Sequence, residues 1–167
     1  MKNILSLIVL IMASISFAQA QKFGHINTES IIEQMPQYKD AEKQLETEQS
    51  KVESTLAMLN EDFQKMMNDY QQQQPKMSEA QQMEREQELQ ENYQKTQQYI
   101  AQQRQELAQK QQQLMQPILM KLRNVINEVG AENNFIYILE ENAGLTPYVS
   151  KSNSVDVAPL VKKKLGI

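Results

Sequence analysis

From Pro36 to Pro117 the sequence contains no glycine and one internal proline, Pro75, close to the midpoint. Glycine and proline are the residues that most weaken a helix interior. Roughly eighty residues with one central break therefore predict two long helices folded back on each other, each leg about 55 Å at 1.5 Å per residue. Helices of that length exceed ordinary globular ones. The shape this dictates is an arm rather than a pocket.

The apolar positions of the first leg support that reading. Leu45 is followed by Val52, Leu56, Leu59, Phe63, Met66, Tyr70 and, across the break, Met77. From Val52 to Tyr70 the spacing alternates between four and three, which is a heptad seam. The second leg is thinner: Tyr93, Ile100, Leu107 and Leu114 recur every seven residues, and their expected companions Gln97, Arg104 and Gln111 are polar. Such a seam buries little area, so the arm should be helical but compliant. Between the legs, Pro75 disfavours helix at Gln74. Ser78 and Gln81 then form an S-x-x-Q capping box that can start the second leg. A stop beside a start favours a hairpin over one kinked helix.

Gln-rich tracts such as Gln71 to Gln74 alternate with charges and respect the heptad, so they read as solvated helix surface. The methionines Met58, Met66, Met67, Met77 and Met83 cluster in the half of the arm nearest its tip. An unbranched, polarizable side chain suits a surface that must accept varied partners. Met66 and Met77 are in register and could equally fill the seam; Met58 and Met67 are off register and should leave apolar surface exposed. With Phe63 and Tyr70, these methionines are the candidate contact residues of the arm.

Residues 1–20 look like a cleaved leader. Lys2, the apolar run Ile4 to Phe17, and Ala18-Gln19-Ala20 supply its three parts. The run is short for a membrane span, which needs ~20 apolar residues. Cleavage after Ala20 would leave Gln21 as the mature N-terminus. No cysteine follows the run, so a lipid anchor is not expected, nor is stable membrane insertion. The expected product is exported and soluble, without disulfides.

The remainder, 21–37 and 117–167, predicts one small discontinuous α/β body into which the arm, 38–116 with its tip near Pro75, is inserted. Lys22 to Ile26 reads as a strand, and Asn27 as the cap of a short helix from Thr28 to Met35. The apolar face Ile118, Leu119, Leu122, Val125, Ile126 and Val129 predicts a buried helix stopped by Gly130. Phe135 to Leu139 predicts a strand, Asn142-Ala143-Gly144 a turn, and Pro147 to Ser150 a returning strand. Asp156 should cap a last helix bearing Val157, Leu160, Val161 and Leu165, with Lys162 to Lys164 in its final turn, where the helix dipole favours cations. The fold class is therefore α+β, mostly α. A body this small is marginal as a single core, so sharing a core between copies is expected. The candidate oligomer-core residues are Phe23, Ile26, Phe135, Ile136, Tyr137, Ile138, Leu139, Tyr148 and Val149.

Chemistry is sparsely represented. His25 is the only histidine and cysteine is absent, so no His/Cys metal cage is expected, and no Cys-His or Ser-His catalytic site. There is no Gly-rich phosphate loop, and no cofactor is expected. The formal charge is −4, and losing Lys2 with the leader leaves 16 basic against 21 acidic side chains, or −5. Without a basic stripe, nucleic-acid binding is not expected.

Several short segments together resemble the Skp/OmpH family of periplasmic chaperones. They are Phe23-Gly24-His25-Ile26-Asn27, Ile31-Ile32 with Met35-Pro36, Tyr38-Lys39-Asp40-Ala41, Tyr137 to Gly144, and Asp156-Val157. The resemblance covers the whole mature chain. It implies a jellyfish-like homotrimer whose strands form a central body, with three helical arms around a cavity. It also implies ATP-independent shielding of unfolded outer-membrane β-barrel proteins from aggregation. One departure stands out. Well-known members are basic and bind lipopolysaccharide through that charge, whereas this chain is acidic near its tip, where only Lys65, Lys76 and Arg85 are cationic. Lipopolysaccharide binding is therefore not carried over, and client affinity is expected to vary little with salt. The competing reading is a coiled-coil spacer or adaptor of the cell envelope with one fixed folded partner. An adhesin-like hairpin would leave the capping strands unexplained, and a hydrolase lacks the residues.

Overall fold

A computed structural model describes residues 21–142, 144, 146 and 148–167. The expected leader at 1–20, and Ala143 and Pro147 of the expected turn and returning strand, lie outside the described residues. The chain divides into two compact units. One takes the chain up to Ile31 together with Arg123–Ile167, and the other is Ile32–Leu122.

In the first unit, strand β1 (Lys22–Ile26) is followed by helix α1 (Thr28–Ile32). Asn27 caps α1 as expected, its Oδ1 accepting from the Ser30 amide at 2.9 Å. The Glu140 carboxylate accepts from the Thr28 amide, also at 2.9 Å. Two otherwise orphaned donors of the first turn are thereby satisfied. The helix is shorter than the sequence suggests. Pro36 forces Met35 into the extended region, φ −70°, ψ 128°, so regular helix ends at Ile32.

The sheet adds β2 (Phe135–Glu140) and β3 (Ser154–Asp156) in the order β2-β1-β3, with both pairings parallel. The expected strand at 147–150 is not found in the described residues 148–150; β3 takes its place. A returning hairpin strand would run antiparallel beside β2. Instead, a connection of about a dozen residues carries the chain to the far edge of β1, the length a parallel crossover needs. The Asn142 side chain starts this connection by accepting from the Gly144 amide at 2.8 Å. Ser150 O accepts from the Ser154 amide at 3.0 Å and delivers the chain to β3.

Gly24 sits at the centre of β1, where a Cβ would lie 3.0 Å from Val157 Cγ1 and 3.1 Å from Ile138 Cγ1. Close approach of the neighbouring side chains therefore demands glycine here. Ile26, Ile31, Val129, Val157 and Val161 are the fully buried apolar residues of this unit. Helix α4 (Ala158–Leu165) closes it. Asp156 Oδ1 accepts from the Ala158 amide at 2.9 Å, and Gly166 ends the helix at φ 79°. Lys164 is not a free cation: it pairs with Glu128 at 2.9 Å and with Glu132. Hydrogen bonds to Glu132 and then Glu128 hold its pKa above the usual lysine value.

The second unit is the helical hairpin. Helix α2 (Pro36–Gln73) starts with proline at its first position, where no amide partner is lost. A single 3-10 turn, Gln74–Lys76, contains Pro75. Helix α3 (Glu79–Glu132) returns. The capping box forms in both directions. Ser78 N donates to Gln81 Oε1 at 2.9 Å, and Gln81 N to Ser78 Oγ at 3.4 Å.

Helix α3 continues through Pro117 and Gly130. The lost hydrogen bond costs about 3 kcal/mol, and burial of Ile118 and Leu122, at roughly 1.5–3 kcal/mol each, offsets it. The helix is stopped by Asn134 at φ 55° rather than by Gly130. Asn133 supports that stop, its Nδ2 donating to Val129 O at 2.8 Å. Gly130 instead lies against β2, where a Cβ would meet Ile138 Cδ1 at 3.4 Å.

Candidate functional site

Strand register sorts the sheet residues onto two faces. Phe23 is level with Tyr137 and Ser154, and His25 with Leu139 and Asp156. These six alternate with Gly24, Ile138 and Ile26 and so occupy the face opposite the core side of Gly24. The rings of Phe23 and Tyr137 stack with centroids 6.4 Å apart and planes 8° off parallel. Among the described residues they are left largely uncovered: Tyr137 is 62% and Leu139 52% exposed, and Ile136 is also exposed. Tyr148 is exposed beyond the sheet, and Val149 is half-buried. Of the other expected oligomer-core residues, Ile26 is buried within this chain, and Phe135 and Ile138 are half-buried beside Gly24. Parallel sheets are ordinarily covered on both sides. An open face carrying a tyrosine, a leucine and a half-buried phenylalanine is therefore unusual for a parallel sheet.

His25 lies on that face and makes a contact the sequence did not suggest. Its Nδ1 is 2.9 Å from Ser154 Oγ, and its Nε2 is 3.9 Å from Glu141 Oε2. The contact arises because the crossover to β3 brings together residues 129 apart in the chain. The histidine ties β3 to β1 and draws in the end of β2, where the Glu141 amide donates to Ile26 O at 2.7 Å. Lys22 performs a similar service at the strand's start, with Nζ 4.2 Å from the Phe135 ring centroid.

In the hairpin, Leu45, Val52, Leu56, Leu59, Phe63, Met66 and Tyr70 are all half-buried, as the heptad requires. The facing register is fixed by Phe63 against Tyr93, centroids 6.4 Å apart, and by Tyr70, whose hydroxyl donates to Glu86 Oε1 at 2.5 Å. The carboxylate acceptor, with burial and the Glu86 charge, holds the Tyr70 pKa above its usual value. In leg two the companion positions need correcting. Gln97, Arg104 and Gln111 are exposed, whereas Leu89, Thr96, Gln103 and Lys110 are half-buried. The apolar positions pair with neighbours three residues on, not four.

The corrected seam is still polar in leg two. Thr96 satisfies its hydroxyl on Asn92 O at 3.1 Å. Asn92 Oδ1 is buried with no hydrogen-bond partner, which weakens the seam at that level.

The candidate contact residues divide by exposure. Met58 is 56% and Met83 71% exposed, while Phe63, Met66, Met67, Tyr70 and Met77 are half-buried. Met67, off register in the heptad, is thus less open than the spacing suggests. Near the tip, Met66, Tyr70 and Met77 with Arg85, Glu88 and Leu89 line a cleft of about 90 Å³. That volume holds a few waters at about 30 Å³ each, not a segment of another chain. Two of the arm's tip cations are already paired, Lys65 with Glu61 at 3.4 Å and Arg85 with Glu88. Among the described residues no His, Cys, Asp and Glu group could hold a metal ion, and no helix is long and apolar enough to cross a membrane.

A protein-family model described as outer membrane protein (OmpH-like) matches residues 22–165, nearly all of the described chain. A comparison with individual curated proteins returned no match. The matched span takes in the strands of the open-faced sheet and both legs of the hairpin, and the chain belongs to the Skp/OmpH family, a family of periplasmic chaperones for outer-membrane proteins.

Proposed function

We propose that this protein is an ATP-independent periplasmic holdase. It is exported by a leader cleaved after Ala20, and it assembles as a homotrimer through the open sheet face. It shields unfolded outer-membrane β-barrel proteins between its helical arms. The observation that carries the reading is the pairing of two uncovered apolar surfaces in a chain of this family. Tyr137 and Leu139 would be covered by neighbouring copies, and Met58 and Met83 remain open for a client.

The physical requirements of the task fit. Unfolded barrels expose alternating apolar strands with unpaired edges, and these aggregate in water. A wall offering scattered, weak, polarizable contacts hides such a chain without trapping it, and it tolerates many sequences. The acidic tip argues against lipopolysaccharide as a ligand and leaves apolar contact as the main source of affinity.

The test is dilution of a urea-unfolded outer-membrane barrel into buffer containing the mature protein, with light scattering and complex mass followed together. Suppressed aggregation and a discrete complex of three chains per client are expected. Undiminished aggregation with the protein eluting unchanged would refute the holdase and leave the envelope spacer as the better account.

A further inference from the structure

We propose that the mature N-terminus is a modification site, Gln21, which closes on itself to a pyroglutamyl lactam. This rests on the leader-cleavage reading above. Cleavage after Ala20 would release an α-amine on Gln21, the one residue type whose side-chain carboxamide lies within five-membered-ring reach of its own amine. The α-nitrogen attacks Cδ, the Cδ–N bond of the carboxamide breaks, and the side-chain nitrogen leaves as ammonia. Two hydrogens of the neutral amine group are shared out so that one stays on the lactam nitrogen and one departs with the ammonia. No oxidant, reductant or second substrate is needed.

The structure supplies the setting. Gln21 is exposed and precedes the first residue of β1. It lies outside the paired residues of β1, which begin at Lys22, so the ring can close without shifting the strand register. Lys22, by contrast, is anchored, its ammonium over the Phe135 ring and donating to Asn133 O at 3.4 Å. A free α-ammonium would stand one residue from that ammonium, and ring closure removes the like charge.

The placement also gives the cap a purpose. β1 is the central strand, paired on both sides, and it carries Phe23, Gly24 and Ile26. Only one residue separates its start from the expected chain end, so an aminopeptidase taking two or three residues would cut into the middle of the sheet. A lactam has no primary amine for such an enzyme to grip.

The experiment uses the full chain with its own leader, exported into the periplasm of a Gram-negative host. The purified protein is held in neutral phosphate until its N-terminal peptide mass is constant, then treated with an amine-acylating reagent. The expected product begins at residue 21, is lighter than the unmodified chain by one ammonia, and is unlabelled at its α-nitrogen. The Gln21→Ala variant, processed alongside, is expected to label there fully; if it too is blocked, the block is not the lactam and the proposal fails. Gln21 persisting with a free, labelled amine would overturn the proposal while leaving leader cleavage intact. A chain beginning at another residue would overturn both.

Discussion

Replacing Tyr137 and Leu139 together by serine tests whether the open sheet face is an assembly surface. The two side chains are 62% and 52% exposed, and covering them would remove on the order of 200 Å² of mostly apolar area per chain. At about 25 cal/mol per Å² that amounts to ~5 kcal/mol per chain. Side-chain ordering and imperfect desolvation reduce what survives in an association equilibrium, to about 3 kcal/mol per chain. In the proposed trimer three chains would then lose roughly 9 kcal/mol, more than six decades in the association constant at 1.4 kcal/mol per decade. Because the midpoint concentration of a monomer–trimer equilibrium varies as the square root of that constant, it should rise about a thousand-fold. Sedimentation equilibrium across a concentration series, with far-ultraviolet circular dichroism as a check on the helices, reads the shift directly. A double variant that stays helical and assembles at the parent's concentration would refute the argument, since the face would then carry none of the association energy.

Four further outcomes follow from particular contacts. Gly24→Ala places a methyl 3.0 Å from Val157 Cγ1, and the overpacking should lower stability by about 1–3 kcal/mol in urea unfolding; an unchanged midpoint would show that the core beneath β1 is loose. Asn92→Leu removes a buried oxygen that lacks a partner, so hairpin melting should shift upward by the equivalent of about 1–2 kcal/mol, and a lower melting temperature would mean the oxygen is solvated. The phenol of Tyr70 is held above its ordinary 10.0 because ionisation would break its hydrogen bond to Glu86 and set like charges together. The fold therefore favours the protonated phenol, so its contribution is complete below pH 10 and is lost as pH rises through the raised value. The absorbance titration of the parent minus that of Tyr70→Phe should show a phenol titrating above the ordinary tyrosine value of 10.0, and an ordinary midpoint would contradict the geometry. Met58→Gln with Met83→Gln should weaken client holding several-fold with helicity unchanged, while Met66→Gln with Met77→Gln should lower the melting temperature; the reverse pattern would exchange client surface and seam.

The hairpin was legible because its signals are local. Pro75, Ser78 and Gln81 are neighbours in sequence, and the capping box they specify is the one that forms. The apolar heptad of leg one likewise predicted which residues turn inward. Leg two was harder, because Tyr93, Ile100, Leu107 and Leu114 mark one position per turn pair and leave its companion ambiguous between three and four residues away. Only the opposite leg decides, and it chooses Thr96, Gln103 and Lys110.

The sheet was misread for a related reason. β3 has three residues, and Ser154, Val155 and Asp156 carry no alternating pattern long enough to announce a strand. Its partner is chosen by a crossover, not by a turn. The contacts of His25 with Ser154 and Glu141 inherit that blindness, since each spans more than a hundred residues. Pro117 shows the opposite failure: a strong local breaker is overridden where burial of Ile118 and Leu122 holds the helix together.

The polarity of leg two bears on how such an arm can work. A seam apolar on both sides would make a stiff coiled coil whose side chains are already satisfied by each other. Here one leg presents Val52, Leu56, Leu59 and Phe63, and the other answers partly with Asn92, Thr96, Gln103 and Lys110. None of the leg-one seam residues from Leu45 to Tyr70 is fully buried, so each keeps some apolar surface in water. That residual surface costs the isolated hairpin stability, and under the proposed holdase function it is the surface an unfolded chain would contact without any helix having to open. Met58 and Met83 add to that apolar surface on the arm. On the holdase reading proposed above, Met58 and Met83 would be available to a client whose apolar strands gain more from the contact than the arms would gain from each other.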